Sequence, residues 1–441
     1  MTVIRHPAGL PPGPVLGAAP DVTEGAGAYR AAGGYDDTTG PDELLHHLAS
    51  SGLRGRGGAG FPVAVKLRSV REQARRGGQT LRPVVVANGE EGEPGSVKDR
   101  WLLRARPHLV LDGLARAAAV TGAVRGYVYL SDPVAAARIR RALAEHAPPL
   151  PVEVVETPHT YVAGEETAVV RRIDGGPALP TAKPPRPHER GVGGAPTLVA
   201  NVETLARIAL TAARPDRAVR TARTTLVTLS GGPAAPVLTE VPYGVPLRTL
   251  AAAHGSADAA GVLMGGLFGG LVGPDGFGLP LEPEALAAAG TALGCGAVRF
   301  LGPGSCPVAT AADATGHLVA ESARQCGVCV SGTRAISDAL TALVRGSAPP
   351  DTPERLRRWA DGLPGRGACG LLDAAAGIAG SLLRAFPETV RRHLVAPCPT
   401  CTATTPTHPA HPAHPAHPAH PAHRLTVPVP PVTDSAVTGV R

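Results

Sequence analysis

Between residues 81 and 158, short runs rich in Val and Tyr alternate with stretches whose apolar residues recur at helical spacing. LRPVVVAN (81–88), RGYVYLS (125–131) and VEVVETP (152–158) read as strands. PHLVLDGLARAAAVTG (107–122) and DPVAAARIRRALAEHA (132–147) read as helices. This alternation predicts a parallel sheet covered by helices over residues 41–225. The texture then changes. TTLVTLSGGPAAPVLTEVPYGVPLRTL reads as a hairpin followed by a short helix, a small α+β unit over 226–300. From 301 to 397 three apolar stripes predict a helical bundle: Ile336, Leu340, Leu343 and Val344; Leu356, Trp359 and Leu363; Leu371, Leu372, Ile378, Leu382, Leu383 and Phe386. Residues 1–40, rich in Gly, Pro and Ala, are expected to form a flexible arm. Residues 398–441 hold a C-x-x-C pair and a His-Pro-Ala repeat that places His408, His411, His414, His417, His420 and His423 every third residue. Pro at that period favours a polyproline II rod, open to adventitious Zn or Ni or simply disordered.

Composition narrows the function. The chain has 441 residues, 43% hydrophobic but only 3% aromatic, so its cores are expected from Ala, Leu and Val. The formal charge of +7 is scattered Arg, and few aromatics are available to stack bases, which argues against nucleic acid. The first twenty residues lack a continuous apolar core, and the most apolar run, 259–273, is short and full of Gly. The expectation is a cytoplasmic protein without a membrane span, one that can join a membrane only through a complex. Seven cysteines, an odd number without a secretion signal, favour metal or redox use over a disulfide framework.

Two scarcities point to a site. Nearly all 43 basic residues are Arg; the only lysines are Lys66, Lys98 and Lys183, and the only asparagines are Asn88 and Asn201. A compact ammonium and a donor–acceptor amide are not replaced by Arg without loss. All five lie in Gly- or Pro-marked segments. SGLRGRGGAGFPVAVK (51–66) has Gly55, Gly57, Gly58 and Gly60, whose backbone N–H groups can approach an anion, with a helix N-terminus to follow and Lys66 within reach. It is not a P-loop, which needs G-K-[ST]. VVVANGEEGEPGSVKDR (84–100) runs from a strand into Asn88 and then Glu90, Glu91 and Glu93, at the strand end where doubly wound sheets bind ligands. YVAGEETAVV (161–170) places Gly164 before Glu165 and Glu166, and Asn201 with Glu203-Thr204 opens a further helix.

In this order, these segments resemble the NADH-binding flavoprotein subunit of respiratory complex I and the related subunits of NAD-linked hydrogenases and formate dehydrogenases. The resemblance spans roughly residues 45–395. It continues through the hairpin segment, which is similar to a soluble-ligand-binding β-grasp domain, and through ALGCGAVRF, ESARQCGVC and CGLLDAAAGIAGSLLRAF, similar to the cluster-bearing helical end. It implies a Rossmann-like FMN-binding domain and an NADH dehydrogenase chemistry, in which NADH reduces FMN and electrons pass singly to a [4Fe–4S] cluster. Carried over by residue, the loop Gly55, Arg56, Gly57, Gly58, Ala59 and Gly60 with Lys66, Asn88, Glu90, Glu91, Gly164, Glu165 and Asn201 would hold FMN. Phe61, Glu93 and Glu166 would face the nucleotide. A ferredoxin-like or thioredoxin-fold [2Fe–2S] partner subunit is implied, because no second cysteine set here suits such a domain.

The chain departs from the family at several positions. Glu90 stands where Asp is usual, Ala200 replaces the first of an Asn pair, and Ser69 and Arg186 stand where aromatics are expected. Arg186 could meet a phosphate instead, which leaves NADPH or another donor open. The family's C-x-x-C-x-x-C becomes Ala323, Cys326, Cys329, with Cys369 matching the distant fourth ligand. Three thiolates can hold a [4Fe–4S] cluster with an open iron or a [3Fe–4S] form, or Cys306, Cys398 or Cys401 could supply the fourth. The rival readings are zinc held by Cys326, Cys329, Cys398 and Cys401, or an empty remnant. The corresponding alternative function is a non-catalytic relative acting as a flavin- or metal-binding scaffold.

Overall fold

The computed structural model describes residues 1–5, 13–36, 38–76, 82–403 and 424–434. Among the described residues ten strands form two sheets: β1 (Val3–Ile4), β2 (Val84–Asn88), β3 (Arg125–Leu130), β4 (Val152–Glu156), β5 (Thr197–Asn201), β6 (Thr224–Gly231), β7 (Val237–Pro242), β8 (Gly261–Met264), β9 (Gly270–Val272) and β10 (Ala297–Leu301). The first sheet is parallel throughout, in the order β4-β3-β2-β5. Val85 and Ala87 of β2 enter the large core with helix Pro107–Thr121, while Val84 and Val86 face Tyr127, Tyr129 and Val169 on the other side. Both faces are therefore covered, as an all-parallel sheet requires. Strand order reverses between β2 and β5, and Asn88 pairs in register with Asn201 at their carboxyl ends. That is the switch point at which such sheets bind ligands.

The second sheet is mixed, in the order β1-β7-β6-β10-β8-β9. The expected hairpin is β6–β7, antiparallel from Thr224↔Pro242 to Leu229↔Val237, followed by helix Leu247–His254. ALGCGAVRF, expected with the cluster-bearing helices, instead leads into β10 of this sheet. The helical unit follows with Pro307–Ala320, Gly327–Arg345, Thr352–Gly362, Leu371–Ala385 and Pro387–Val395, and the predicted stripes face its core. No helix among the described residues is long and apolar enough to cross a membrane.

A buried ionic network joins the two sheets. Glu203, in the helix Val202–Ala213 after β5, accepts from Arg207 (Nη2, 2.8 Å), the Leu226 N–H of β6 (3.1 Å) and, through its other oxygen, pairs with Lys98 (3.2 Å). Arg207 continues to Glu240 of β7 (3.1 Å). Glu203 and Arg207 are wholly buried, and Lys98, Glu240 and Arg56 nearly so. Burial alone would raise the Glu203 carboxyl, yet Lys98, Arg207 and Arg56 draw it down to about 2.

The N-terminal arm, expected to be flexible, is packed where it is described. Val15 and Leu16 are fully buried, and both donate backbone N–H groups to Glu240 Oε2 at 2.9 Å. A buried carboxylate needs partners on both oxygens, and the arm supplies the second pair. The His-Pro-Ala repeat lies outside the described residues. Beyond it, Leu425 and Val427 are buried, and Val427 N–H donates to Pro94 O at 2.8 Å, so the end of the chain is not uniformly a low-complexity tail.

Removing one member of a buried charge network leaves the others unpaired, at a cost of about 3–5 kcal/mol. Glu203→Gln is accordingly expected to lower the urea unfolding free energy by about that much, with an unchanged midpoint as the contrary result.

Candidate functional site

The glycine-rich loop is closed at its neck. Gly55 N–H donates to Phe61 O (2.9 Å), Val63 N–H to Leu53 O (3.0 Å) and Arg54 Nη1 to Gly60 O (3.1 Å). Helix Val63–Arg76 begins directly after it, as the anion-site reading expects. Gly58 and Gly60 hold φ of +103° and +60°, the left-handed region that favours glycine. Gly57 presses against the neighbouring strand end, since a Cβ there would lie 3.3 Å from the Asn201 Cβ.

A cleft of ≈ 270 Å³ opens over this loop. Gly55, Arg56, Gly58, Ala59 and Gly60 line it from the first unit, Lys98 from the switch point, and Thr225, Tyr243 and Thr291–Cys295 from the second. The Arg56 side chain runs away from the loop into the core. It donates to Ala222 O (2.6 Å) and Thr224 O (2.9 Å) and bonds the Tyr243 hydroxyl. Arg56 therefore positions the loop by its backbone, through its N–H to Thr204 Oγ1 (2.9 Å).

Lys98 is the cation of the switch point. It bonds Asp99 Oδ1 (2.6 Å) and lies 3.4 Å from Asn201 Oδ1. Burial opposes its charge, but Asp99, Glu203 and Glu91 outweigh burial and hold its pKa above the ordinary lysine range. Asn201 accepts from Glu203 N–H (3.0 Å), capping its helix, and donates to Asp99 Oδ2 (2.7 Å). Asn88 donates to Gly164 O (2.8 Å), tying the β2 end to the acidic segment after β4. A Cβ on Gly164 would lie 3.0 Å from Glu90 O, tighter than most side chains pack, so this approach favours glycine.

The acidic residues divide by role. Glu91 is committed to its own loop: it accepts from Ser96 Oγ (2.6 Å), Asp99 N–H (3.1 Å) and Arg100 (N–H 3.1 Å, Nε 3.2 Å), fixing the start of helix Lys98–Ala105. Glu165 caps helix Glu166–Ile173 through Thr167 N–H (2.8 Å) and pairs with Lys183 (2.7 Å). Glu166 faces Lys183 (3.3 Å) and Lys66 (3.5 Å), and these cations hold its carboxyl below the ordinary value against the opposing effect of burial. Glu90 is buried against His159 (3.0 Å), and its Oε2 has no hydrogen-bond partner. A buried carboxylate oxygen left open beside the strand ends fits a donor on a bound group, as does a cleft walled by bare glycine backbone. Phe61, 49% exposed, presents a free ring beside the loop.

Glu93 accepts from Tyr161 Oη (3.0 Å) and Leu267 N–H (3.1 Å). Burial pushes its carboxyl up to about 7, against those two donors. Tyr161 carries no signal of its own in the sequence. Its hydroxyl binds Glu93, its N–H donates to Glu321 (2.8 Å), and burial, Glu93 and the Cys295 and Cys369 thiols hold its pKa well above the ordinary range. It lies between Glu93 and the Cys295 and Cys369 thiols.

Cys326 caps helix Gly327–Arg345, Cys329 is buried in its first turn, and Cys369 precedes helix Leu371–Ala385. Burial raises both the Cys329 and Cys369 thiols, and the neighbouring Cys326 adds to each. Such thiols ionise readily only on a cationic centre, and three together beside two helix N-termini fit an iron–sulfur ligand set. Arg324, between Ala323 and Cys326, holds φ +55°. Cys306, Cys398 and Cys401, considered as donors of the missing thiolate, lie together with His393 instead, and the rival zinc set of Cys326, Cys329, Cys398 and Cys401 is not brought together among the described residues.

A parallel nucleotide-type sheet, a glycine loop at its switch point and a three-cysteine helical end together define a flavin- and iron–sulfur-type electron carrier. Residues 48–210 match the Nuo51 FMN-binding domain, and residues 309–393 match the NADH-ubiquinone oxidoreductase-F iron–sulfur binding region. The chain is 31% identical over 401 residues to the second F-type NADH-quinone oxidoreductase subunit of Rhizobium meliloti (strain 1021), covering 82% of this chain and 93% of the relative. It is 30% identical to the F-type NADH-quinone oxidoreductase subunit of Streptomyces coelicolor, covering 83% and 87%. Among solved structures it is similar to NAD+-reducing [NiFe]-hydrogenase in the H2-reduced state, with TM-score 0.72 and 31% identity, covering 81% of this chain and 63% of that one. The air-oxidized state gives TM-score 0.74 at 30% identity, covering 88% and 67%. The chain belongs to the family of F-type NADH-quinone oxidoreductase subunits.

Because the folded chain holds a proton on Glu93 between its ordinary 4.5 and about 7, the stability this group contributes is present at low pH and lost as pH rises through that window. Glu93→Gln is expected to flatten the pH dependence of the unfolding midpoint there, and an unchanged slope would speak against the raised value.

Proposed function

We propose that this chain is the electron-input flavoprotein of a multisubunit redox complex, taking a hydride from NADH onto FMN and passing single electrons through an iron–sulfur centre to a partner. The observation that carries this reading is the placement of Tyr161, whose hydroxyl donates to Glu93, itself beside Cys295 of the cleft wall, and which lies within electrostatic reach of the Cys369 thiol. Bound FMN supplies the ability to accept an electron pair and release its electrons singly.

The chain's own residues have separable tasks. The Gly55–Gly60 backbone, Lys98 and the Asn88 and Asn201 strand ends hold the flavin. The open Glu90 Oε2 accepts from it. Phe61 stacks on the nucleotide, and Glu93 and Glu166 orient it. Cys326, Cys329 and Cys369 would hold the cluster, and Ala323 offers no thiolate of its own. We read residues 226–300 as a β-grasp domain between the flavin domain and the helical cluster domain. The acceptor is a [2Fe–2S] subunit of ferredoxin or thioredoxin fold, and the complex faces the cytoplasm. The scaffold alternative is not favoured, because the matched relatives are oxidoreductase subunits.

Anaerobic titration of the flavin-loaded protein with NADH is expected to bleach the flavin absorbance, with NADPH slower. A flavin that binds yet stays oxidised with both would overturn the reading. Gly58→Val, forced into a left-handed backbone, is expected to weaken FMN binding by at least about tenfold in a fluorescence titration. Ala323→Cys is expected to raise bound iron and sharpen the [4Fe–4S] EPR signal, and unchanged iron would count against Cys326, Cys329 and Cys369 as ligands.

A further inference from the structure

Four ligand-type side chains outside the flavin and cluster sites converge at the C-terminal edge of the helical unit. Cys306 is the N-cap residue of helix Pro307–Ala320, His393 lies near the end of Pro387–Val395, Cys398 immediately precedes the short helix Pro399–Ala403, and Cys401 lies within it. Cys306, His393 and Cys401 are buried, and Cys398 is partly exposed. One ligand atom from each lies within 4.8 Å of all the others. Among the described residues this is the one group of His, Cys and carboxylates that tight.

The distances select a mononuclear ion. His393 Nε2 stands 3.5 Å from Cys306 Sγ and 3.6 Å from Cys401 Sγ. Tetrahedral zinc, with Zn–S near 2.3 Å and Zn–N near 2.0–2.1 Å, sets neighbouring ligand atoms about 3.5–3.8 Å apart. A cubane cluster gives each thiolate its own iron and spreads the sulfurs wider.

The histidine is also oriented for metal. Its Nδ1 lies 2.8 Å from Thr389 O. A carbonyl only accepts, so Nδ1 carries the proton and the Nε2 lone pair points at the thiols. This is the outer hydrogen bond that metal-binding histidines characteristically make. The local pattern is H-x4-C-x2-C, completed by a cysteine 87 residues upstream of the histidine.

We propose that Cys306, His393, Cys398 and Cys401 bind one zinc ion in a closed tetrahedral Cys3His site, separate from the iron–sulfur centre. Binding replaces the three thiol protons, released to water, with three Zn–S bonds and one Zn–N bond, and no electrons are transferred. With all four positions filled by protein, the ion is structural rather than catalytic. It ties the start of Pro307–Ala320 to the end of the bundle, bracketing in sequence the segments that bear Cys326, Cys329 and Cys369. Thr400 Oγ1, donating to Gly304 O at 3.0 Å, braces the same closure.

The test uses the full chain, because the histidine repeat at 408–423 can take zinc of its own. Wild-type protein and the Cys398→Ser/Cys401→Ser variant, both with the repeat, are dialysed against chelator and analysed for zinc and iron. The wild type is expected to retain one more zinc per chain than the variant, with iron equal in both. Its zinc-edge X-ray absorption is expected to show three sulfurs and one nitrogen. Cobalt(II) in its place is expected to give thiolate-to-metal charge-transfer bands that the variant lacks and that a histidine repeat cannot produce. Equal zinc in the two proteins, a zinc shell of nitrogen and oxygen alone, or loss of iron rather than zinc in the variant would overturn the proposal. The absorption measurement needs only the wild type, so a variant that fails to fold does not remove the test.

Discussion

The Glu203 carboxylate is the interaction around which this structure is assembled. It is wholly buried, and its partners come from four places: Lys98 behind the acidic turn, Arg207 one helical turn on, Leu226 N–H in the second sheet, and, at the edge of ion-pair range, Arg56 in the glycine loop at 3.9 Å. A charge so deep is tolerable only when it is surrounded, and surrounding it brings the glycine loop, the switch point and the second sheet to fixed separations. The cleft is the space left between those three elements. Fold stability and the shape of the site are therefore one problem here.

That network also explains a division of labour among the charged residues. Glu91 and Arg56 sit within or beside the cleft by sequence, yet their side chains hold the scaffold. Glu90 and Glu93 have the unfinished environments: an oxygen without a partner and a carboxyl pushed towards neutrality. Unsatisfied or perturbed groups gather where a ligand is to complete them, whereas saturated groups build the frame.

Much of this is legible from the chain. The β–α alternation marks the parallel sheet because short continuous apolar runs, as in β2 and β3, are what a sheet covered on both faces requires, and they are separated by a helix with apolar residues at helical spacing. The scarcity of Lys and Asn leads to the switch point, where Lys98, Asn88 and Asn201 lie, and to the Lys66–Glu166–Lys183 cluster. What escapes are contacts across long sequence distances. Tyr161 and Cys295 look ordinary locally, and only folding sets them beside Glu93. Val15 and Leu16 lie in a stretch whose Gly and Pro suggest disorder, but the demand that fixes them is Glu240, 224 residues on from Leu16. Cys306 and His393 carry no local signal connecting them, since metal-ligand grouping between distant segments is set by tertiary packing alone.

In the function proposed above, the cleft and the three-cysteine site stand or fall together as one electron path. The decisive experiment is rapid-freeze EPR of the flavin- and iron-loaded protein after a single anaerobic addition of NADH. A continuous path predicts a reduced iron–sulfur signal that grows in as the flavin is reduced and that fades when Cys329 is replaced by Ser. Flavin reduction with no iron–sulfur signal would contradict it.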